Sequence, residues 1–219
     1  MPSQRFWGYF DNEAAPKLGG RAETFRKIFG YLDQLSRPVC IIETGCVREK
    51  DNWAGDGQST LLFDRYAQEK PGSVVYSVDV DLQATMRCKS LVSERVKVHT
   101  GDSVAFLSTL ARQRPADLLC VDLLYLDSVD VDMYAPLPSA IHHLKELLAA
   151  YPLLSAETLV VVDDSPSMML GYTNGAEFKV FNGSLKIGGK GMLIAEYASA
   201  IGAKPYFTGY QCGWIGIAP

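Results

Sequence analysis

The chain has 219 residues, 47% hydrophobic and 21% charged, which suits one α/β domain burying roughly 70% of its unfolded surface without disulfide or metal staples. Twenty-one Lys and Arg against twenty-five Asp and Glu leave a net charge of −4, so there is no basic field for nucleic acid or an anionic membrane. Five cysteines without a C-x-x-C pair argue against a disulfide scaffold, and no apolar stretch approaches the roughly 20 residues of a membrane span, so reduced thiols in a cytoplasmic protein without a signal peptide are expected.

Residues 1–20 read as an arm. Phe6, Trp7, Tyr9 and Phe10, with Pro2 and Pro16, are placed to cover an apolar acceptor pocket or a neighbouring subunit, which leaves a homo-oligomer open. Phe25, Ile28, Phe29, Leu32 and Leu35 recur at helical spacing over 21–36, and Pro38 closes that helix before a first strand, Val39 to Glu43. A polar loop over 46–58 follows, and Ser59 is placed to cap a helix through Ala67. Pro71-Gly72 turns the chain into strand two, Val74 to Asp79. A short helix near Gln83 to Val92 leads to strand three, Val96 to Thr100, and Asp102 or Ser103 caps the next helix through Leu110.

Leu118 to Asp122 reads as strand four. Ala140, Ile141, Leu144, Leu147, Leu148 and Tyr151 form a helical stripe, and Leu159 to Val162 reads as a strand buried on both faces. The Gly-, Ser- and Asn-rich segment 165–190 is too long for a simple connector and is a candidate active-site loop, as is 46–58. A helix from about Gly191 to Ile201 precedes two short runs, Tyr206 to Tyr210 and Cys212 to Ile217, too close for a crossover and therefore antiparallel.

The pattern predicts one domain over 1–219, a doubly wound, Rossmann-like, mainly parallel sheet with an antiparallel C-terminal strand pair. Each parallel strand ends in a carboxylate: Glu43, Asp79, Asp102, Asp122, and Asp163 with Asp164. Parallel pairing would gather them at the sheet edge where open α/β sheets bind ligands.

Glu43-Thr44-Gly45 after the first strand, the acid ending strand two, Gly101-Asp102-Ser103 after strand three and the closing antiparallel pair together resemble class I S-adenosylmethionine-dependent methyltransferases, over roughly residues 20 to 217. The resemblance implies a seven-stranded sheet and S-adenosylmethionine as cofactor. Its motif positions fall on Glu43, Thr44, Gly45, Gly57 and Ser59 for the glycine turn and on Asp79 for the ribose hydroxyls, with Asp81 as fallback. Asp102 and Ser103 match the adenine position, and Asp122 completes the cofactor set. The turn departs from the compact form through nine added residues, Cys46 to Ala54, in which Trp53 is placed to anchor a flap over cofactor or acceptor.

Asp122 with Asp163-Asp164 further resembles the metal site of catechol-type and natural-product O-methyltransferases, implying Mg²⁺ or another hard divalent cation on those three acids. The expected reaction is methyl transfer to a hydroxyl of a small molecule, a natural product or a sugar, with Asp122 and the cation activating the acceptor. Where that family carries a lysine this chain has Tyr125, so a lysine base is not supported; Asp127 is placed to reach back. His143, on the flank of its helix, is the histidine placed to lean over the sheet edge, with His142 facing away from the core. Blander readings stay open: Gly55 and Gly57 turning a surface loop, Asp164 turning with Ser165-Pro166, Asp122 capping a loop. So do a nicotinamide-dependent oxidoreductase, although Gly45, Gly55 and Gly57 cannot form G-x-G-x-x-G, and a hydrolytic or binding member of the fold.

Overall fold

The structure is a computed structural model that describes residues 4–218 except 54, 56, 117, 119, 175 and 176; over 167–185 it describes the backbone. Five parallel strands form on apolar, β-branched runs, all but the fourth where the sequence predicts them: β1 Cys40–Thr44, β2 Val74–Asp79, β3 Val96–Thr100, β4 Leu123–Leu126 and β5 Leu159–Val162. Two short strands, β8 Pro205–Phe207 and β9 Cys212–Trp214, complete a seven-stranded sheet in the order β3-β2-β1-β4-β5-β9-β8. β9 runs antiparallel to both β5 and β8, giving an α/β sheet with one reversed strand.

Strand alternation splits the core in two. Ile41, Leu123, Tyr125, Leu159 and Val161 face one side, covered by α2 (Arg21–Asp33), α3 (Ser59–Gln68) and α4 (Leu82–Leu91). Ile42, Leu124, Leu126, Val160 and Val162 face the other, covered by α5 (Ser103–Gln113), α6 (Leu137–Ala150) and α7 (Met192–Ala200). A central strand buried on both faces must be almost wholly apolar, which is why β4 and β5 carry no charged side chain.

The N-terminal segment departs from its expected role. α1 (Gln4–Tyr9) and the turn Phe10–Ala14 seal the first core layer: Phe6 and Phe10 are fully buried, and Phe6 lies 4.6 Å from Phe29 and 5.1 Å from Tyr66, ring centre to ring centre. Aromatic rings meeting edge to face bury too much surface to serve as a loose cover. The segment 165–190 also differs from a plain loop. Ser167–Asn174 (β6) and Glu177–Ile187 (β7) pair as an antiparallel hairpin outside the main sheet, its base closed by the Gly188 N–H donating to the Pro166 carbonyl at 3.0 Å. Among the described residues no helix is long and apolar enough to cross a membrane.

The fourth strand requires a correction. Leu118 to Asp122 is not a strand, and Leu119 lies outside the described residues; the ladder begins at Leu123, paired with Ile41, and Asp122 sits at its N-terminal edge. There its carboxylate takes a bidentate pair from Arg37, at 2.6 and 3.0 Å, and the Cys40 N–H at 2.8 Å. Asp122 is thus at the rim opposite Asp79, where it reaches neither the cofactor nor the metal positions assigned to it. The residue that ends β4 on the ligand side is Asp127.

Candidate active site

The strand order reverses between β1 and β4, and the crevice at the carboxyl edge of such a switch point is where open α/β sheets bind ligands. Gly45 ends β1 with φ +84°, and a Cβ at that position would lie 2.5 Å from the Asp127 carbonyl oxygen. Only glycine lets the loop after β1 meet the loop after β4 this closely. The Asp127 N–H donates to the Thr44 carbonyl at 2.9 Å, so the two loops are tied by backbone as well.

Glu43 does not reach the crevice. It is fully buried and accepts hydrogen bonds from Ser59 (2.6 Å), Thr60 (2.7 Å) and Ser77 (2.7 Å), three hydroxyls from α3 and β2. Burial pushes its carboxyl up to about 7 despite those donors. Its work is to fasten the start of α3 to the sheet. The 46–58 loop is pinned in the same way: Val47 N–H to Thr60 Oγ1 at 2.9 Å, and Gln58, at φ +56°, taking the Asp51 N–H at 3.1 Å and giving to the Glu49 carbonyl at 2.9 Å. Helix α3 starts at the expected Ser59, but Gln58 is its capping position. Gly57, at φ +61°, packs on Arg21, where a Cβ would stand 3.0 Å from Arg21 Cδ. Trp53 packs against the first core layer with Lys17 over its ring at 5.1 Å.

Asp79 ends β2 at the centre of the crevice. Its oxygens take one backbone N–H each, from Cys46 (3.2 Å) and Asp81 (2.9 Å), which leaves lone pairs for a ligand diol. Asp81 itself is committed as the N-cap of α4, through Gln83 and Ala84. Two small cavities meet at Asp79 and Ser128. One, of about 100 Å³, is lined by Val78, Val80, Asp102, Ser103, Val129 and His142. The other, of about 40 Å³, is lined by Arg21, Gly45, Cys46, Ser59, Asp127 and Asp164 among others. Both are smaller than the roughly 300–1,000 Å³ of a ligand pocket. Arg48 and Asp130 pair at 3.3 Å between the loops after β1 and β4.

Asp102 and Ser103 follow β3 at the start of α5 and line the larger of the two cavities. Asp102 caps α5 through the Ala105 N–H at 2.8 Å, and Ser103 Oγ lies 3.0 Å from His142 Nε2. The two histidines exchange the parts expected of them. His143 is fully buried, its Nδ1 2.7 Å from the Ser139 carbonyl and its Nε2 without a hydrogen-bond partner among the described residues. Burial lowers its pKa to about 4, and no acceptor can reach it, so His143 is withdrawn as a base. His142 lines the cavity instead, 3.3 Å from the buried Glu146 carboxylate, whose hydrogen bond raises its pKa. The predicted stripe misassigned them because the buried face of α6 turns toward Ser139, His143, Glu146 and Ala150 and leaves the stripe residues Ile141 and Leu148 exposed.

Asp163 and Asp164, after β5, do gather with a third acid, and it is Asp127; one oxygen of each lies within 4.8 Å of the others. The chain supplies two cations to this cluster. Arg21, at the start of α2, donates to both oxygens of Asp163 (3.0 and 3.2 Å) and to Asp164 Oδ1 (3.1 Å). Lys190 pairs with Asp127 and, at 3.0 Å, with Asp164 Oδ2. Tyr210 donates to Asp164 Oδ1 at 2.6 Å. Burial works against both cations, but the surrounding acids outweigh it and raise their pKa values. Burial likewise opposes the Asp164 charge, and Lys190, Tyr210 and Arg21 overcome it, holding its carboxyl below the usual range. Sites of this kind bind a hard ion through free carboxylate lone pairs. Here five of the six carboxylate oxygens already face Arg21, Lys190 or Tyr210, so the residues present do not fit a divalent cation.

Arg21, Asp127 and Lys190 are the site residues that the sequence reading left without a firm role. Lys190 carried one signal, its setting in Gly188-Gly189-Lys190-Gly191.

No protein-family model matches the chain, and no curated protein matches it. Among solved structures, the chain is similar to LepI in complex with SAM, at 11% identity and TM-score 0.48, the match covering 87% of this chain and 46% of LepI. It thus spans about half the length of that protein. It is similar to the sugar N-methyltransferase KedS8 from Streptoalloteichus sp ATCC 53650, at 11% identity and TM-score 0.49 over 96% of this chain and 91% of that one. It is also similar to a short chain dehydrogenase/reductase, YIR035C, from Saccharomyces cerevisiae, at 18% identity and TM-score 0.42 over 58% and 53%. Likeness at this level, spread over two kinds of enzyme, decides nothing about chemistry.

Proposed function

We propose that the chain is an S-adenosylmethionine-dependent methyltransferase acting on a hydroxyl oxygen of a small polar molecule. The observation that carries this reading is Asp79. An acid at the end of β2, with lone pairs to spare, suits the two ribose hydroxyls of a nucleoside cofactor, and Asp102, Ser103 and His142 beside it suit a purine edge. The sheet supports it against a nicotinamide enzyme: the usual dinucleotide sheet runs parallel in the order 3-2-1-4-5-6, whereas here the reversed β9 lies between β5 and β8.

The cofactor, when bound, supplies a sulfonium methyl. The chain's own residues do the rest by binding and orientation. Asp79 holds the nucleoside, and the Gly45 turn sets the distance between it and the acids after β4 and β5. The second cavity is lined by Arg21, Arg48, Asp127, Asp130 and Asp164, groups that hydrogen-bond hydroxyls, which favours a sugar-like acceptor rich in them. With the cofactor held by Asp79, an acceptor hydroxyl bound in the second cavity would take that methyl and give up its proton to water. The assistance of a divalent cation is left out of this reading, because Lys190 and Arg21 hold the acids it would need.

Calorimetric titration with S-adenosylhomocysteine and, separately, with NADH tests the proposal. Saturable binding of S-adenosylhomocysteine that Asp79→Ala weakens supports it. NADH saturation without any response to S-adenosylhomocysteine would overturn it.

A further inference from the structure

We infer that Lys190 stands in the place that a divalent cation would take, so that the acids after β4 and β5 are organised by a lysine of the chain and take up no Mg²⁺. The inference rests on the proposed methyl transfer only for the name of the reaction; ion binding is measured without cofactor or acceptor, so either can fail alone.

Three observations carry it. First, five of the six carboxylate oxygens are engaged. Both oxygens of Asp163 face Arg21, Asp164 Oδ1 takes Arg21 and Tyr210, and Asp164 Oδ2 and Asp127 Oδ1 face the Lys190 ammonium. An ion bridging Asp127 and Asp164 would have to share the space of Nζ against a like charge. Second, Lys190 is 1% exposed. A lysine so deeply buried is tolerated only when its charge is paired, and these acids pair it.

Third, the backbone is shaped to deliver it. Gly189 takes φ +54°, and a Cβ there would overlap the Asp164 carbonyl; a Cβ on Gly191 would lie 2.5 Å from Ser165 Oγ. The Lys190 N–H donates to that same Asp164 carbonyl at 3.1 Å. Glycines on both sides let the segment press against the end of β5, which sets the ammonium between two strand ends. Lys190 is a positioning residue: it fixes Asp127 and Asp164 without entering the cavity they line.

The test is ion binding to the intact protein. Tb³⁺ is titrated into the wild type, Lys190→Met and Lys190→Met with Asp127→Asn, following tyrosine-sensitised emission, for which Tyr210 is well placed. Removing a like charge a few ångströms away is worth on the order of 100-fold in affinity. Lys190→Met is therefore expected to gain a Tb³⁺ site about that much tighter than any in the wild type, and Asp127→Asn to abolish the gain. A folded Lys190→Met that binds no tighter than the wild type overturns the inference. A second measurement needs no variant: the melting temperature of the wild type is expected to be the same in Mg²⁺ and in EDTA, and a saturable rise with Mg²⁺ overturns the inference.

Discussion

Asp79 and Asp122 are both aspartates beside apolar strands, and their partners separate them. Asp79 meets two backbone N–H groups and a cavity, while Asp122 is clamped by a guanidinium. Losing two charge-assisted hydrogen bonds to ribose, Asp79→Ala is expected to weaken S-adenosylhomocysteine binding about 10–100-fold by calorimetry. Asp163→Ala acts on stability instead. It removes two of the hydrogen bonds that hold the buried Arg21 guanidinium and leaves Asp164 as its remaining partner, and is expected to cost about 1.5–3 kcal/mol in urea denaturation. Glu43 gives a pH signature. Its folded pKa of about 7 lies above its ordinary value of 4.5, so its contribution is whole below pH 4.5 and fades as pH rises through 7. The loss amounts to on the order of 3 kcal/mol above pH 8. Glu43→Gln carries no such titration, so its melting temperature relative to the wild type is expected to climb between pH 5 and pH 8.

At the scale of elements, the helices and most strands were legible because their apolar periods are clear and their neighbours break them with Gly, Pro or an acid. β2 and β3 begin and end where Val74, Asp79, Val96 and Thr100 predict. β4 was misplaced for a physical reason. Leu118 to Leu126 is one apolar stretch divided by Asp122, and periodicity cannot tell which half enters the sheet; the pairing of Leu123 with Ile41 and Leu159 decides it. The same slip hid Asp127 in a loop of acids. The N-terminal arm was legible as aromatic but not as core, since its partners Phe29 and Tyr66 lie on two different helices. Phe6→Ala is accordingly expected to destabilise by about 3–5 kcal/mol, as for a buried core ring, where a cover over a pocket would alter binding alone. Lys190 escaped the sequence reading because its role depends on two strand ends that only the fold brings together.

For the molecule as a whole, the parallel sheet has two rims with unlike duties. The rim carrying Asp79, Asp127 and Asp163 holds the crevice, and the rim carrying Asp122 holds Arg37 and the turn into β1. Asp122→Ala is therefore expected to lower the melting temperature while leaving S-adenosylhomocysteine affinity within about twofold, as for a site outside contact range. The gathering of acids at one rim was legible in the sequence; their neutralisation was not, because Arg21 lies 142 residues from Asp163.

The crevice is bridged by Arg48 and Asp130, whose side chains are 50% and 82% exposed. A bridge so open to solvent feels the surrounding electrolyte, whose screening reach shrinks from about 10 Å at 0.1 M to about 3 Å at 1 M ionic strength. That outer contact is thus one that dissolved salt weakens, so raising the salt from 0.1 M to 1 M should loosen it while the buried charges beneath stay in place.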